Sequence, residues 1–305
     1  MSSPASRRGT EARPQLVSRQ REPKEGAVRA RQRLGLIVEF TGVTGVGKTT
    51  LVAAVQELLA QQGFVVREAH EAILRSYGLN LPGRPKVQSF LVHLFSVLPF
   101  LRYALSREGF QLSRLAVRLI VRDAGSPRIA VMLLRNFVKR IAVHLLLRQR
   151  CRPLGECDFF LCDEGTVHTA HNLFVHAGPA PRADEIIHFA DLIPKPDLAV
   201  WVTAPESDAV QCTLRRGHAR INNNPGEIEA FVAHGSFTFN TLCSVRSITN
   251  RLFVIENSTR DPGGGTAAIQ ERAYAIGGFL TQHYRASMLA KDSTGATGEI
   301  LEDRK

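Results

Sequence analysis

Gly42, Gly47, Lys48 and Thr49 stand at the spacing G-x-x-x-x-G-K-[ST], the pattern of a loop that wraps its backbone amides around a diphosphate. Turning the N–H groups inward needs backbone angles and a close approach that side chains would obstruct, which accounts for Gly42, Gly45 and Gly47. The stretch Gly42, Val43, Thr44, Gly45, Val46, Gly47, Lys48, Thr49 and Thr50 is therefore the expected cradle for ATP. Lys48 reaches the β- and γ-phosphates, Thr49 offers its hydroxyl to Mg²⁺, and the positive end of the helix that follows favours the anion. The motif leaves open what happens to the phosphate.

Further groups sit where a phosphate could be moved. The run Cys157 to Gly165 ends in Asp163 and Glu164, and an acid closing a buried strand beside the cradle holds the Mg²⁺ shell through water. Asp163 is the expected ligand, with Glu164 projecting to the opposite side of the strand. Arg67 and Glu68 close another short run, Phe64 to Glu68; the carboxylate could take a proton from an attacking hydroxyl and the guanidinium could hold an anionic acceptor, although an exposed ion pair fits the spacing equally well. His168 lies one helical turn beyond Glu164 and shares a face with His171, so it is read as lining the acceptor pocket in preference to a transition-metal site. Arg215, Arg216 and Arg220 flank Gly217, a pattern suited to a mobile lid that neutralises charge in the transition state. A helix C-terminus would also attract Arg215 and Arg216 but leaves Arg220 unexplained. The expected catalytic groups are thus Lys48, Glu68, Asp163, Arg216 and Arg220; the expected acceptor contacts are Arg67, Glu164, His168 and Arg215; the expected metal ligands are Thr49 and Asp163.

The elements that must position these groups are legible as short apolar strands: Leu36 to Phe40, Phe64 to Glu68, Cys157 to Gly165, Asp197 to Val202 and Leu252 to Ile255. In open parallel sheets the crevice at the carboxyl ends of the strands takes the ligand, and the motifs all fall there. Residues 83–152 read as an inserted set of helices. Gln111 to Val121 place Leu112, Leu115 and Leu119 on one face against Arg114, Arg118 and Arg122. Ile129 to Leu147 repeat the plan, with Leu134, Phe137, Val138, Ile141, Leu145 and Leu146 inside and Arg135, Lys139 and Arg140 outside. Val87 to Leu105 is the most apolar stretch, but His93, Pro99 and Arg102 interrupt it, which argues against a membrane-spanning helix.

Charge is segregated along the chain. Residues 1–33 hold nine Lys or Arg against three Glu and few apolar residues, the composition of a disordered tail. The insert holds fourteen Lys or Arg against two acids, Glu108 and Asp123. It could be a solvated subdomain, a lid over the substrate, or a surface for an anionic membrane or polyanion. Its aromatic residues fall on apolar faces instead of between the basic ones, which argues against nucleic acid. Five cysteines without a C-x-x-C pair suggest a reducing, cytoplasmic setting, with a peripheral position at a membrane compatible. The domain expected from this pattern spans 34–285, followed by a frayed tail at 286–305.

The motif order resembles the thymidylate kinase-like group of P-loop kinases, which includes the deoxynucleoside kinases. Residues 36–50 resemble that family's opening strand and loop, Arg67-Glu68 its Arg-Glu pair, and 197–220 its strand, helix and arginine lid. The resemblance implies an α/β fold with a five-stranded parallel sheet of order 2-3-1-4-5. It also implies an ATP- and Mg²⁺-dependent kinase acting on a nucleoside, nucleotide or sugar-type acceptor, and it leaves a homodimer open. One departure stands out: where those families carry an arginine directly after the third strand's acid, this chain has Asp163-Glu164-Gly165, so an arginine that handles the phosphate or acceptor is missing. An NTP-hydrolysing switch or a non-catalytic nucleotide-binding module, with the basic helices on a membrane or polyanion, is the alternative.

Overall fold

The computed structural model describes residues 33–298 apart from 82–83, 177, 219, 222–223 and 259–264. Five parallel strands form one sheet: β1 is Leu36–Thr41, β2 Val66–Glu68, β3 Phe159–Asp163, β4 Leu198–Thr203 and β5 Leu252–Glu256. Their order, β2-β3-β1-β4-β5, is the order expected. β1 lies at the centre and is buried at every position, so its sequence runs almost continuously apolar instead of alternating. β2 is shorter than expected, beginning at Val66, because Phe64 turns away to pack on Phe159 and Tyr284.

Helices connect and cover the strands: α1 Lys48–Gln61, α2 Ala69–Ser76, α3 Pro85–Ala104, α4 Arg107–Asp123, α5 Pro127–Leu146, α6 Thr169–Phe174, α7 Ala183–Leu192, α8 Glu206–Arg216, α9 Pro225–Ser244, α10 Arg246–Thr249 and α11 Thr266–Gly298. Helices α2, α7, α9 and α10 are additional to the elements expected. The insert is α3, α4 and α5. α4 starts four residues before the apolar pattern does because Ser106 caps it, its Oγ accepting from the Gly109 amide at 3.1 Å. Ser126 does the same for α5 at Ile129, 3.3 Å, with Pro127 in the first turn.

Two expectations are corrected here. The stretch expected as a frayed tail from 286 is helical as far as Gly298: α11 runs on through it with Met288 buried, the sequence from 286 carrying no breaker in its first turns. Residues 1–32 of the expected leading tail and 299–305 of the trailing one lie outside the described residues. The phase of α5 also differs. Leu133, Phe137 and Ile141 set the buried stripe, which exposes Leu134 and brings Lys139 and Arg140, expected outside, toward the sheet.

The amino ends of the strands are stapled by two aspartates. Asp158, just before β3, accepts from Arg33 at 2.5 Å, from the Val65 amide at 2.8 Å and from the Tyr284 hydroxyl at 2.5 Å. Asp197, just before β4, accepts from the Ile37 amide at 2.8 Å and pairs with Arg152. With polar groups there committed to structure, the carboxyl ends are left for chemistry.

Candidate active site

The glycine-rich loop leaves β1 at Thr41 and enters α1 at Lys48. Gly42 has φ of 141° and lies so close to β4 that a Cβ would stand 2.2 Å from the Val202 carbonyl, so no side chain fits. The Lys48 Nζ curls under the loop and donates to the carbonyls of Gly42, 3.0 Å, and Val43, 2.9 Å. Burial pushes its pKa down, with Glu164 and Asp163 opposing the fall. Three neighbours fix the loop from outside. Asn257, just after β5, donates to the Val46 carbonyl at 2.7 Å. Val43 packs against Gly235 of α9, and Thr44 Oγ1 lies 3.3 Å from His171 Nε2.

Thr49 and Asp163 meet as the spacing implies. The Thr49 hydroxyl donates to Asp163 Oδ2 at 2.7 Å, at the exposed mouth of the loop. Two hard oxygen donors beside a lysine and a helix N-terminus fit Mg²⁺, which takes one or two protein oxygens and completes its shell with water and phosphate. Among the described residues no group of three His, Cys, Asp or Glu converges.

Glu164 follows in the left-handed region, φ 76°, the lone non-glycine there among the described residues. That turn sends its carboxylate over the loop, where it pairs with Arg140 of α5 and lies 3.3 Å from His168 Nε2. Burial opposes ionisation of Glu164, but His168, Arg140 and Lys48 outweigh it and hold the carboxyl well below the usual carboxylate range. His168 is itself buried, which lowers its pKa to about 4; at neutral pH the imidazole is uncharged and donates from Nε2 to Glu164. The segment carrying these groups is anchored from below by Glu39, an acid inside β1. Glu39 accepts from the His168 amide at 2.7 Å and from the Thr166 hydroxyl at 3.1 Å. Burial raises its pKa against those hydrogen bonds.

Beyond Thr49 and Asp163 opens a cavity of about 510 Å³ between α1, α2, α5 and the end of β3. Glu68, His70, Asn136, Lys139, Arg140 and Glu164 supply its polar wall. Lys139 is steadied by Ser89 of α3 at 3.2 Å and forms no ion pair among the described residues; burial lowers its pKa, with Glu164 opposing the fall. His70 is lowered to about 4 by burial and by Lys139. The insert thus builds one side of the cavity, and Arg140 of α5 sets a guanidinium on its wall, paired with Glu164.

Not every expected contact is in place. Arg67 does not line the cavity; it points to the amino end of the sheet and pairs with Glu156 at 3.1 Å. Arg215 folds back along α8 toward the Gln211 carbonyl, 3.4 Å. Arg220, expected in the lid, donates to His171 Nδ1 at 2.8 Å and to the Val175 carbonyl at 3.2 Å, capping the end of α6. That bond places the His171 hydrogen on Nε2, directed at Thr44, so Arg220 supports the loop through the imidazole. Arg216 alone of the three is exposed near Lys48, whose ammonium feels its charge. Missed by spacing were Arg140, Lys139, Glu39, His171 and Asn257. An acid within Leu-Ile-Val-Glu-Phe was the one signal that could have exposed Glu39.

No family model matches the chain, and no curated protein matches it. Among solved structures the chain is similar to thymidylate kinase from Ehrlichia chaffeensis, at 13% identity and a TM-score of 0.38, over 79% of this chain and 97% of that one. At that identity and score the likeness decides nothing about activity, which has to be read from the cradle and the cavity.

Proposed function

We propose that the protein is an ATP- and Mg²⁺-dependent phosphotransferase that moves the γ-phosphoryl group to a small acceptor seated in the cavity. One observation carries the reading: the Thr49–Asp163 pair and Lys48 stand at the boundary between a phosphate cradle and a half-open cleft of acceptor size. A hydrolase needs only water there, whereas this cavity offers two cations, three carboxylates, an imidazole and an amide. Thr49 and Asp163 would hold Mg²⁺, which when bound would supply charge that partly neutralises the phosphates. Lys48 and the loop amides hold the leaving diphosphate, and Arg140 with Arg216 offset charge on the moving group. Glu68 takes the proton of the acceptor hydroxyl as its oxygen bonds to phosphorus and the bond to the β-phosphate oxygen breaks, releasing ADP. Lys139 and Arg140 on the cavity wall favour an acceptor that carries a phosphate or carboxylate.

The test is ADP release with Mg²⁺ and ATP across nucleosides, nucleoside monophosphates, sugars and sugar phosphates, with Lys48→Ala alongside. Acceptor-stimulated release that drops at least about 100-fold in the variant supports the reading, since one preorganised charge contributes on that scale. Release at one slow rate with every acceptor favours the alternative, an NTP-hydrolysing switch, for which the exposed apolar face of α3 is the supporting observation.

A further inference from the structure

We propose that α3 is a docking surface for an anionic lipid bilayer, lying in the plane of the headgroups with its outer face among the acyl chains. Phe90, Leu94, Val97, Leu98, Leu101 and Leu105 recur at helical spacing, and all are exposed, Leu98 to 74% and Leu105 to 89%. So contiguous an apolar stripe is uncommon on a protein that meets only water. The opposite face is already occupied: Val92 and Ser96 are buried, Phe95 stacks on Tyr77 at 4.1 Å, and Phe100 meets Phe137 edge-on at 5.7 Å. Lys86–Ala104 is long and apolar enough to cross a membrane by length and composition, but with one side packed into the protein it is held at the surface.

Charge identifies the occupant. Lys86 stands one helical turn before Phe90 and Arg102 one turn after Leu98, so each end of the stripe carries a cation, and α3 contains no acid. Exposed arginines continue on the neighbouring helices, Arg107 and Arg114 on α4 and Arg128 and Arg135 on α5, with exposed Phe110 and Val131 beside them. Apolar side chains edged by Lys and Arg suit the boundary between acyl chains and anionic headgroups. A second copy of the chain suits it less well, because a two-fold contact sets a patch against itself and would bring these cations together, with Glu108 the one acid among the exposed residues beside them.

The test uses the full chain and flotation with phosphatidylcholine vesicles, with or without phosphatidylglycerol. The expected result is association with the anionic vesicles at least about tenfold stronger than with neutral ones and weakened by salt. Leu94→Glu/Leu98→Glu should abolish it, and Lys86→Ala or Arg102→Ala should each weaken it roughly five-fold. All four positions are on the exposed stripe or at its ends, and thermal unfolding confirms that each variant is folded. No association with either vesicle, or association that the double variant leaves unchanged, overturns the proposal. So does a concentration-dependent dimer in sedimentation that the double variant dissolves while wild-type chain ignores lipid, which would name a second copy as the occupant.

Discussion

Glu164 occupies backbone space that disfavours any residue with a Cβ, at about 1–3 kcal/mol. What it gains there is Arg140 on one oxygen and His168 on the other, directly above the lysine of the loop. Under the proposed function, Arg140, on a helix more than twenty residues upstream, takes the place of the arginine absent after Asp163. Arg140→Ala should therefore lower turnover at saturating ATP by about 100-fold, and Arg140→Lys should restore only part of it, because an ammonium cannot reproduce the fork of the guanidinium. Steady-state kinetics with a melting curve for each variant checks this; turnover near wild type in Arg140→Ala would remove the residue from the chemistry. Spacing alone could not place Arg140. In its half of α5 the chain reads Ile-Ala-Val-His-Leu-Leu-Leu, apolar all round, and a helix buried on most sides gives no periodicity from which to tell inside from outside.

At the scale of elements, β1 supports both halves of the site: its end releases the phosphate loop, and Glu39 in its middle holds the segment from Gly165 to His168. Glu39→Ala should lower stability by about 2–4 kcal/mol, since a buried amide and hydroxyl lose their acceptor together. Urea unfolding measures it, and a loss below about 1 kcal/mol would show that the segment is held by other contacts. The strands were legible as short apolar runs, each ending in a polar group at the ligand edge, while their order was only what the resemblance in motif order implied, since no run of residues states its neighbours. The helix α9 was not. Its buried stripe passes through Gly235 and Thr238, which weakens the apolar signal, and Gly235 is there because a Cβ would lie 2.2 Å from Val43 of the loop. The arginine cluster was legible as a cluster and misread as a unit: Arg220 is drawn to α6 by His171 and the carbonyls beyond it, contacts that no local spacing announces.

Over the whole molecule, several histidines are folded in as neutral groups. His144 is lowered to about 3 by burial, Arg148 and Arg152, and His70, His168 and His218 to about 4, burial being the largest cause in each. The unfolded chain takes up protons on these groups below about 6.5 while the folded chain does not, so acid pulls the equilibrium toward unfolding. Stability should be flat above that pH and fall as pH drops from about 6.5 toward 4, by up to about 1.4 kcal/mol per unit for each fully buried histidine. Urea melts between neutral pH and pH 5 test this. His144→Leu should make the slope shallower; an unchanged slope would mean that His144 binds its proton in the folded state.

The same scale joins the two faces of the insert. Its outer stripe on α3 meets water in the isolated chain, while its inner side, through Lys139 and Arg140, closes the cavity beside the phosphate cradle. The central claim is that this cavity receives a phosphoryl group, and the most direct measurement is to follow the label from ATP carrying ³²P at the γ position, with Mg²⁺ and the acceptor panel, in wild type and Lys48→Ala. Label recovered on an acceptor, and absent with the variant, is the predicted result. Label recovered only as inorganic phosphate, at a rate indifferent to every acceptor, would contradict it.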